Sequence, residues 1–307
     1  MSAYVGFDSI PRQIEKRLLR RGFQLNVMLV GQTGLGKSTL INTLFAAHLV
    51  NSKGRTSASE PPRKTVEIQA TTHMMRENNV KLRLTVIDTP GYGDQINNDK
   101  CWDPIVRYIK DQHAIYLRKE LTAARERNIL DTRVHCVLFF ISPSSKGLRD
   151  LDVIVLQKLS EVANVVPVIA KADSLVPDEL TALKKRIRAD FERHNIQLYP
   201  RQDADLDGDG VIEPEEHALN EAVKAALPFA VVGSEQTSVL GGREVRVRKT
   251  RYGVINIEDE AQCEFVHLRN FLTRTHLHDL VETTAAVHYE AFRTRQLMAL
   301  KETSQRQ

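Results

Sequence analysis

Short, almost wholly apolar runs alternate with segments whose apolar positions recur every three or four residues. The first run is Phe23–Val30 (FQLNVMLV), and Val134–Ile141 (VHCVLFFI) and Val165–Ala170 (VVPVIA) repeat the type, while Lys81–Ile87 (KLRLTVI) alternates and then becomes wholly apolar as it enters the core. Runs this short and this apolar suit strands buried on both faces. Between them, 39–45 predicts a helix with Leu40, Leu44 and Phe45 on its inner side. A helix over 150–163 carries Leu151, Ile154, Val155 and Leu159 at helical spacing, and a helix over 177–194 is opened by Pro177, Asp178 and Glu179. Residues 65–76 and 80–88 predict two strands joined by a Glu77-Asn78-Asn79 turn, 99–127 a long charged helix, and 229–233 a short last strand. This β/α alternation predicts an α/β fold with a doubly wound, mostly parallel sheet. Ahead of it, 8–21 reads as a helix with Ile10, Ile14 and Leu18 on one face and Gly22 as its stop. Behind it, 239–258 reads as an added β-meander, and 260–302 as C-terminal helices.

The junction after the first strand carries the strongest chemistry. Gly31-Gln32-Thr33-Gly34-Leu35-Gly36-Lys37-Ser38 has the spacing of a phosphate-binding loop, placed between a strand and a helix. That geometry aims backbone N–H groups and a helix dipole at one point. Gly31 and Gly36 let the chain bend close to phosphate oxygens, Lys37 neutralises terminal phosphates, and the Ser38 hydroxyl holds Mg²⁺. The fold class is thereby narrowed to a P-loop NTPase.

Two further strand ends select the nucleotide. Asp88-Thr89-Pro90-Gly91 closes the strand 80–88; an Asp there reaches Mg²⁺ through water, and the Gly91 N–H faces the terminal phosphate. Ala170-Lys171-Ala172-Asp173 closes the strand 165–170. Guanine offers N1–H and N2–H₂ to a single carboxylate, whereas adenine offers an acceptor there, so Asp173 reads guanine while the Lys171 stem covers the base. GTP is thus favoured over ATP. For the switch threonine, Thr65 competes with Thr71 and Thr72, and spacing alone leaves the choice open.

Composition changes this picture little. The chain has 307 residues, 42% of them hydrophobic and 27% charged, enough for a full α/β core with a satellite element. A net charge of +4 is too mild to imply nucleic acid as a partner. The cysteines Cys101, Cys136 and Cys263 are scattered and odd in number, which argues for a reducing compartment. Without a signal-peptide core or an 18-residue apolar run, the expected location is the cytoplasm.

Taken together, these residues resemble the septins, the filament-forming GTPases of the eukaryotic cortex. The resemblance rests on Asp88-Thr89-Pro90-Gly91-Tyr92-Gly93-Asp94, Ala170-Lys171-Ala172-Asp173, Arg133-Val134-His135-Cys136, Phe140-Ile141-Ser142-Pro143, Val232-Gly233-Ser234 and His288-Tyr289-Glu290-Ala291-Phe292-Arg293, and runs from about residue 11 to 298. It implies a basic N-terminal helix in 1–22, a GTP-binding domain over 23–238, a septin-specific meander and helices over 239–302, and a tail at 303–307. By register with the family it implies Thr65 as the switch threonine and Gly233 and Arg248 as guanine contacts, completing a nucleotide set of Gly31, Gly34, Gly36, Lys37, Ser38, Thr39, Thr65, Asp88, Gly91, Lys171, Asp173, Gly233 and Arg248. It also implies that Lys146, Ser174 and Glu179 reach the nucleotide of a facing subunit. The nucleotide then lies buried between two G domains, and the terminal helices make a second interface. The chain departs from the family in having Tyr252 where Trp is usual, Arg251 where Pro is usual and Lys146 in place of a His, and no coiled-coil heptads follow Leu300.

For turnover, Lys37, Thr65 and Gly91 are the expected catalytic set, with GTP going to GDP and phosphate. Tyr92 stands where small GTPases carry a water-orienting Gln, so hydrolysis is expected to be slow unless a partner supplies a cation, for which Arg243, Arg251 and Lys146 are candidates. The alternative is a GTP/GDP-binding structural subunit with negligible turnover. Two weaker sites remain. Arg12, Lys16, Arg17, Arg20 and Arg21 put five cations on one helix, which suits an anionic phospholipid membrane as well as an assembly contact. Asp205, Asp207, Asp209 and Glu216, with Gly210 between, follow a calcium-loop pattern, but Leu198-Tyr199-Pro200 is a poor incoming helix, so Ca²⁺ competes there with a plain acidic loop.

Overall fold

The computed structural model describes residues 9–50, 67–93, 98–122, 129–144, 146–201, 214–251 and 253–305. Its main sheet has six strands in the order β2-β3-β1-β4-β5-β6. These are β1 (Phe23–Gly31), β2 (Gln69–Glu77), β3 (Val80–Asp88), β4 (Cys136–Ile141), β5 (Val165–Ile169) and β6 (Phe229–Ala230). All neighbours run parallel except the edge hairpin β2–β3. Every residue of β4 and β5 is buried, as the unbroken apolar runs require of strands covered on both faces. The edge strand β2 is largely exposed, and Asn78 and Asn79 turn the hairpin with φ of 44° and 69°. Pro167 fits in β5 because β6 pairs only with Val168 and Ile169.

Helices α2 (Lys37–Leu44), α3 (Asp103–Leu121), α4 (Asp150–Ser160), α5 (Pro177–Arg193) and α6 (Pro214–Ala226) complete the β/α alternation. Each buries a stripe: Ile105, Ile109, His113 and Leu117 in α3, and Leu183, Ile187 and Phe191 in α5. The charged stretch expected over 99–127 is helical only from Asp103, where Pro104 suits the first turn. The expected strand 229–233 is in register with β5 only at Phe229–Ala230; Val231 still donates to the Ile169 carbonyl at 3.0 Å, and the strand has ended by Val232. Helix α1 (Ile10–Arg21) buries none of its residues, so Ile10, Ile14 and Leu18 present an uncovered apolar face. No helix among the described residues is long and apolar enough to cross a membrane.

A second, three-stranded antiparallel sheet follows: β7 (Thr237–Leu240), β8 (Arg243–Thr250) and β9 (Gly253–Asn256). The chain then stays helical over most of 265–305, as α7 (Phe265–Asn270), α8 (Leu277–Thr283) and α9 (Glu290–Gln305), interrupted by π-turns at Phe271–Thr275 and Thr284–Tyr289. Polar anchors dock it, among them the following. The buried Asn164 amide donates to the carbonyls of His135 and Leu280, both at 3.0 Å, tying β4 to α8. Lys184 holds Glu264 at 2.5 Å. The Arg133 guanidinium is fixed by Asp131 and lies 4.1 Å from the Tyr116 ring centre and 4.8 Å from that of Tyr289, between α3 and the C-terminal helices.

This junction also buries imidazoles. His113, His276 and His288 are at most 4% exposed, and burial lowers their pKa values to about 4, 4 and 3. In the unfolded chain they titrate near ~6.5, so below that pH the unfolded state takes up protons that the fold refuses. Their contribution is whole above pH ~6.5 and is lost as the pH falls towards ~4. Asp279, which burial raises to about 6, opposes one of them, because its folded form keeps a proton that the unfolded carboxyl gives up. Urea unfolding is therefore expected to show stability falling by about 2 kcal/mol or more between pH 7 and pH 5, and His113→Phe, which removes one titrating group, should flatten that fall.

Candidate functional site

Gly31 ends β1 opposite Phe140 of β4. A Cβ at Gly31 would stand 2.6 Å from the Phe140 Cβ, so only glycine lets the two strands close where the loop begins. Gly34 and Gly36 adopt φ of 82° and 86°, a region that glycine enters without strain. Gly36 is the N-cap of α2 and offers no side-chain cap, which leaves the first-turn N–H groups aimed into the loop. Lys37 is buried; its Nζ donates to the carbonyls of Gly31 at 3.0 Å and Gln32 at 2.9 Å, bridging the loop from within.

Asp88 ends β3, in register with Leu29 of β1. It is 7% exposed, and the Ser38 hydroxyl donates to its Oδ2 at 3.4 Å. A hydroxyl and a buried carboxylate that converge in this way are oxygen donors suited to a hard divalent cation such as Mg²⁺. The Thr89 hydroxyl donates to the Leu29 carbonyl at 2.7 Å and fixes the turn that leads to Gly91.

At the end of β5, Lys171 sits in the left-handed region at φ 50° and ψ 47°. The turn is held by Ala170 N–H to Ile141 O at 3.0 Å and Ala172 N–H to Val231 O at 3.1 Å. Lys171 borders a cleft with Gly34, Thr39, Gly233 and Arg248, and the Asp173 side chain, 8% exposed, follows it in the same turn. A Cβ at Gly233 would stand 3.1 Å from the Leu40 Cα of α2, so glycine closes the far wall. Arg248 pairs with Asp173 through Nε and Oδ2 at 2.9 Å. Of the sequence-predicted set, Gly34, Gly36, Thr39, Lys171, Gly233 and Arg248 border one cleft, Lys37 reaches back to Gly31, Ser38 meets Asp88 and Arg248 meets Asp173, while Thr65 lies outside the described residues. Thr71 and Thr72 stand on exposed edge strand β2, and the Thr72 hydroxyl lies 3.1 Å from that of Thr85.

The other candidates are scattered. The Ser174 hydroxyl donates to the Lys171 carbonyl at 2.8 Å, and the Glu179 carboxylate accepts the Val176 N–H at 3.2 Å, so both are engaged within the chain. Lys146 is exposed in a turn, and Arg251 borders a surface cleft with Asp173 and Val254. Arg243 opens β8. Asp205, Asp207 and Asp209 lie outside the described residues, and Glu216 falls in the first turn of α6. On α1, Arg12, Lys16 and Arg20 share a groove with Arg76 and Lys81 of the β2–β3 hairpin; Arg17 and Arg21 are exposed on the same helix.

Sequence reasoning missed a network beside the phosphate loop. Arg149 forks onto Asp152 at 2.9 and 2.6 Å, and the Tyr92 hydroxyl donates to Asp152 at 2.7 Å. With its amide turned, Gln32 of the phosphate loop accepts from Arg149. Tyr92 is 4% exposed and stacks on Phe139; burial, followed by Asp152, pushes its pKa well up, so it stays a donor. The only local signal was Arg149 and Asp152 at helical spacing. Two contacts of β8 were equally hidden: Arg246 donates to the Thr43 carbonyl of α2, and Arg248, expected at the guanine, meets Asp173 itself.

The septin family profile matches residues 21–306. Cell division control protein 10 of Candida albicans is 58% identical over 98% of this chain and 83% of its own length. Septin homolog spn2 of Schizosaccharomyces pombe is 58% identical over 99% of this chain and 90% of its own. Cell division control protein 10 of Saccharomyces cerevisiae is 54% identical over 99% and 92%. The chain belongs to the septin family of P-loop GTPases.

Because Asp152 holds two donors at once, its loss should cost more than that of either. Tyr92→Phe is expected to lower stability by about 1 kcal/mol and Asp152→Ala by about 3 kcal/mol in urea unfolding. The single tryptophan, Trp102, lies at the start of α3 and provides a fluorescence signal for both.

Proposed function

We propose that this septin binds GTP and GDP with Mg²⁺ at the carboxyl edge of its main sheet, hydrolyses GTP slowly, and assembles through nucleotide-containing interfaces into cytoskeletal filaments. The observation that carries the reading is the meeting of three strand ends: the phosphate loop after β1, Asp88 within reach of Ser38 after β3, and the turn after β5, whose Lys171 borders one cleft with Gly34 and Gly36 of the loop and whose Asp173 pairs with Arg248 of that cleft. Open α/β sheets bind ligands at such a crevice.

In this reading, the loop amides and Lys37 hold the β- and γ-phosphates, and Asp173 accepts the guanine donors. Ser38, Thr65 and, through water, Asp88 hold Mg²⁺, which supplies positive charge at the phosphate oxygens. The Thr65 carbonyl and the Gly91 N–H orient the attacking water. The Tyr92 hydroxyl is already committed to Asp152, so no side chain next to Gly91 is available to help. That favours slow turnover, and it keeps the second reading open: a nucleotide-binding structural subunit with negligible hydrolysis. A cation from a facing subunit would raise the rate, with Arg243, Arg251 and Lys146 as donors.

Assembly is supported by two uncovered apolar faces: Ile10, Ile14 and Leu18 on α1, and Leu297, Met298 and Leu300 on α9. The names of the cell-division relatives support a place in the septin cytoskeleton at the division site, and the cytoplasmic cell cortex is the location that fits a membrane-facing α1. The cations of α1, joined by Arg76 and Lys81, suit anionic phospholipid at about 1 kcal/mol per residue.

Two measurements test the proposal. Asp173→Asn places an amide donor against the guanine N1–H and N2–H₂, so GTP affinity should fall at least ~100-fold, while xanthosine triphosphate, which offers an oxygen at C2, should gain affinity; titration calorimetry reads both. GTP turnover per site should rise across the concentration range where light scattering shows self-association. A flat rate would remove the cation supplied in trans and leave the structural reading.

A further inference from the structure

We propose that Arg248 is a specificity-determining residue: its guanidinium occupies the base-reading carboxylate of Asp173 until guanine displaces it, and a base lacking guanine's donor edge cannot. The inference rests on the nucleotide reading above and adds a competitor within the chain.

The chemistry is that of like for like. The N1–H and N2–H₂ edge of guanine is itself a guanidine fragment, a pair of N–H donors on neighbouring nitrogens, and Arg248 presents the same pattern. In the structure, Arg248 Nε stands 2.9 Å from Asp173 Oδ2, while Asp173 Oδ1 is buried without a hydrogen-bond partner among the described residues. The carboxylate is therefore half served. Guanine would replace the contact at Oδ2 and add one at Oδ1, so the exchange gains a hydrogen bond. Adenine would bring an acceptor to the same place and would leave a buried carboxylate unserved, which is the costly outcome for a polar group. For adenine, the pair stays closed and Arg248 stays in the cleft that it lines with Gly34, Lys171 and Gly233.

The fold is built to let this one side chain move while its surroundings hold. The Arg248 side chain is 34% exposed against 8% for Asp173, so the cation can return to water at small cost while the carboxylate cannot. The strand that carries it is pinned two residues earlier, where Arg246 of the same face donates to the Thr43 carbonyl of α2. On its other side β8 is paired with β9, Arg248 opposite Ile255. Ser174 and the Ala172 N–H fix the turn that holds Asp173. Displacement thus reduces to a rotation of the Arg248 side chain.

Stopped-flow binding of fluorescent GDP and ADP to the full chain tests the idea. Arg248→Ala should raise the GDP association rate constant about tenfold, because the carboxylate no longer has to be vacated, and should narrow the preference for GDP over ADP by a similar factor. Arg248→Lys, which keeps the charge but loses the fork, should fall between. In an Asp173→Ala background, Arg248→Ala should leave both quantities unchanged, since its effect runs through that carboxylate. Unchanged association with faster dissociation in Arg248→Ala and Arg248→Lys would overturn the proposal and make Arg248 a plain base contact. A wild-type chain that binds no GDP would instead refute the nucleotide reading itself.

Discussion

The register of β1 between β3 and β4 is the constraint on which the rest of this molecule depends. Pairing Leu29 with Asp88 on one side and Gly31 with Phe140 on the other brings the phosphate loop and the carboxylate of β3 to one level. A slip of one residue would set a residue with a Cβ against Phe140 and move Asp88 off the level of Leu29. Gly31 sharpens the constraint: no residue with a Cβ fits against Phe140 at this spacing. Everything downstream, including the start of α2, the inward turn of Lys37 and the reach from Ser38 to Asp88, inherits its position from that pairing.

The second sheet and the C-terminal helices are built onto this frame at particular points. Strand β8 touches α2 through Arg246 and the turn after β5 through Arg248, so one strand ties two elements of the main-sheet layer together. The helices of 265–305 are secured through Asn164 and Arg133, at the opposite, amino ends of β4 and β5. Burial of three histidines at that junction makes docking sensitive to acid, because charging an imidazole there means desolvating it. The apolar faces of α1 and α9 remain outside this body, which fits surfaces that another subunit covers.

Much of this was legible in the sequence because the signals are local. The phosphate loop is a contiguous motif between a strand and a helix, and Asp88 and Asp173 each close an apolar run, so their place at the carboxyl edge followed from the strand pattern. What was not legible depends on contacts distant along the chain. Nothing near Tyr92 announces Asp152, sixty positions on, and nothing near Asp173 announces Arg248. The groove between α1 and the β2–β3 hairpin joins Arg12 to Arg76 by packing alone. Boundaries slipped where tertiary pairing decides them, as at Val232 and Gly233, which read as strand but lie beyond the last bond to β5, Gly233 bordering the cleft. The π-turns of the C-terminal run have no signature in its apolar spacing.

The claim at the centre of this account is that the three strand ends hold one guanine nucleotide. It is tested most directly by denaturing the purified, folded protein after incubation with Mg²⁺ and an equal mixture of GTP, GDP, ATP and ADP, and then identifying the released nucleotide by chromatography. The account predicts close to one guanine nucleotide per chain and almost no adenine nucleotide. Release of no nucleotide, or of adenine and guanine nucleotides in equal amounts, would contradict it.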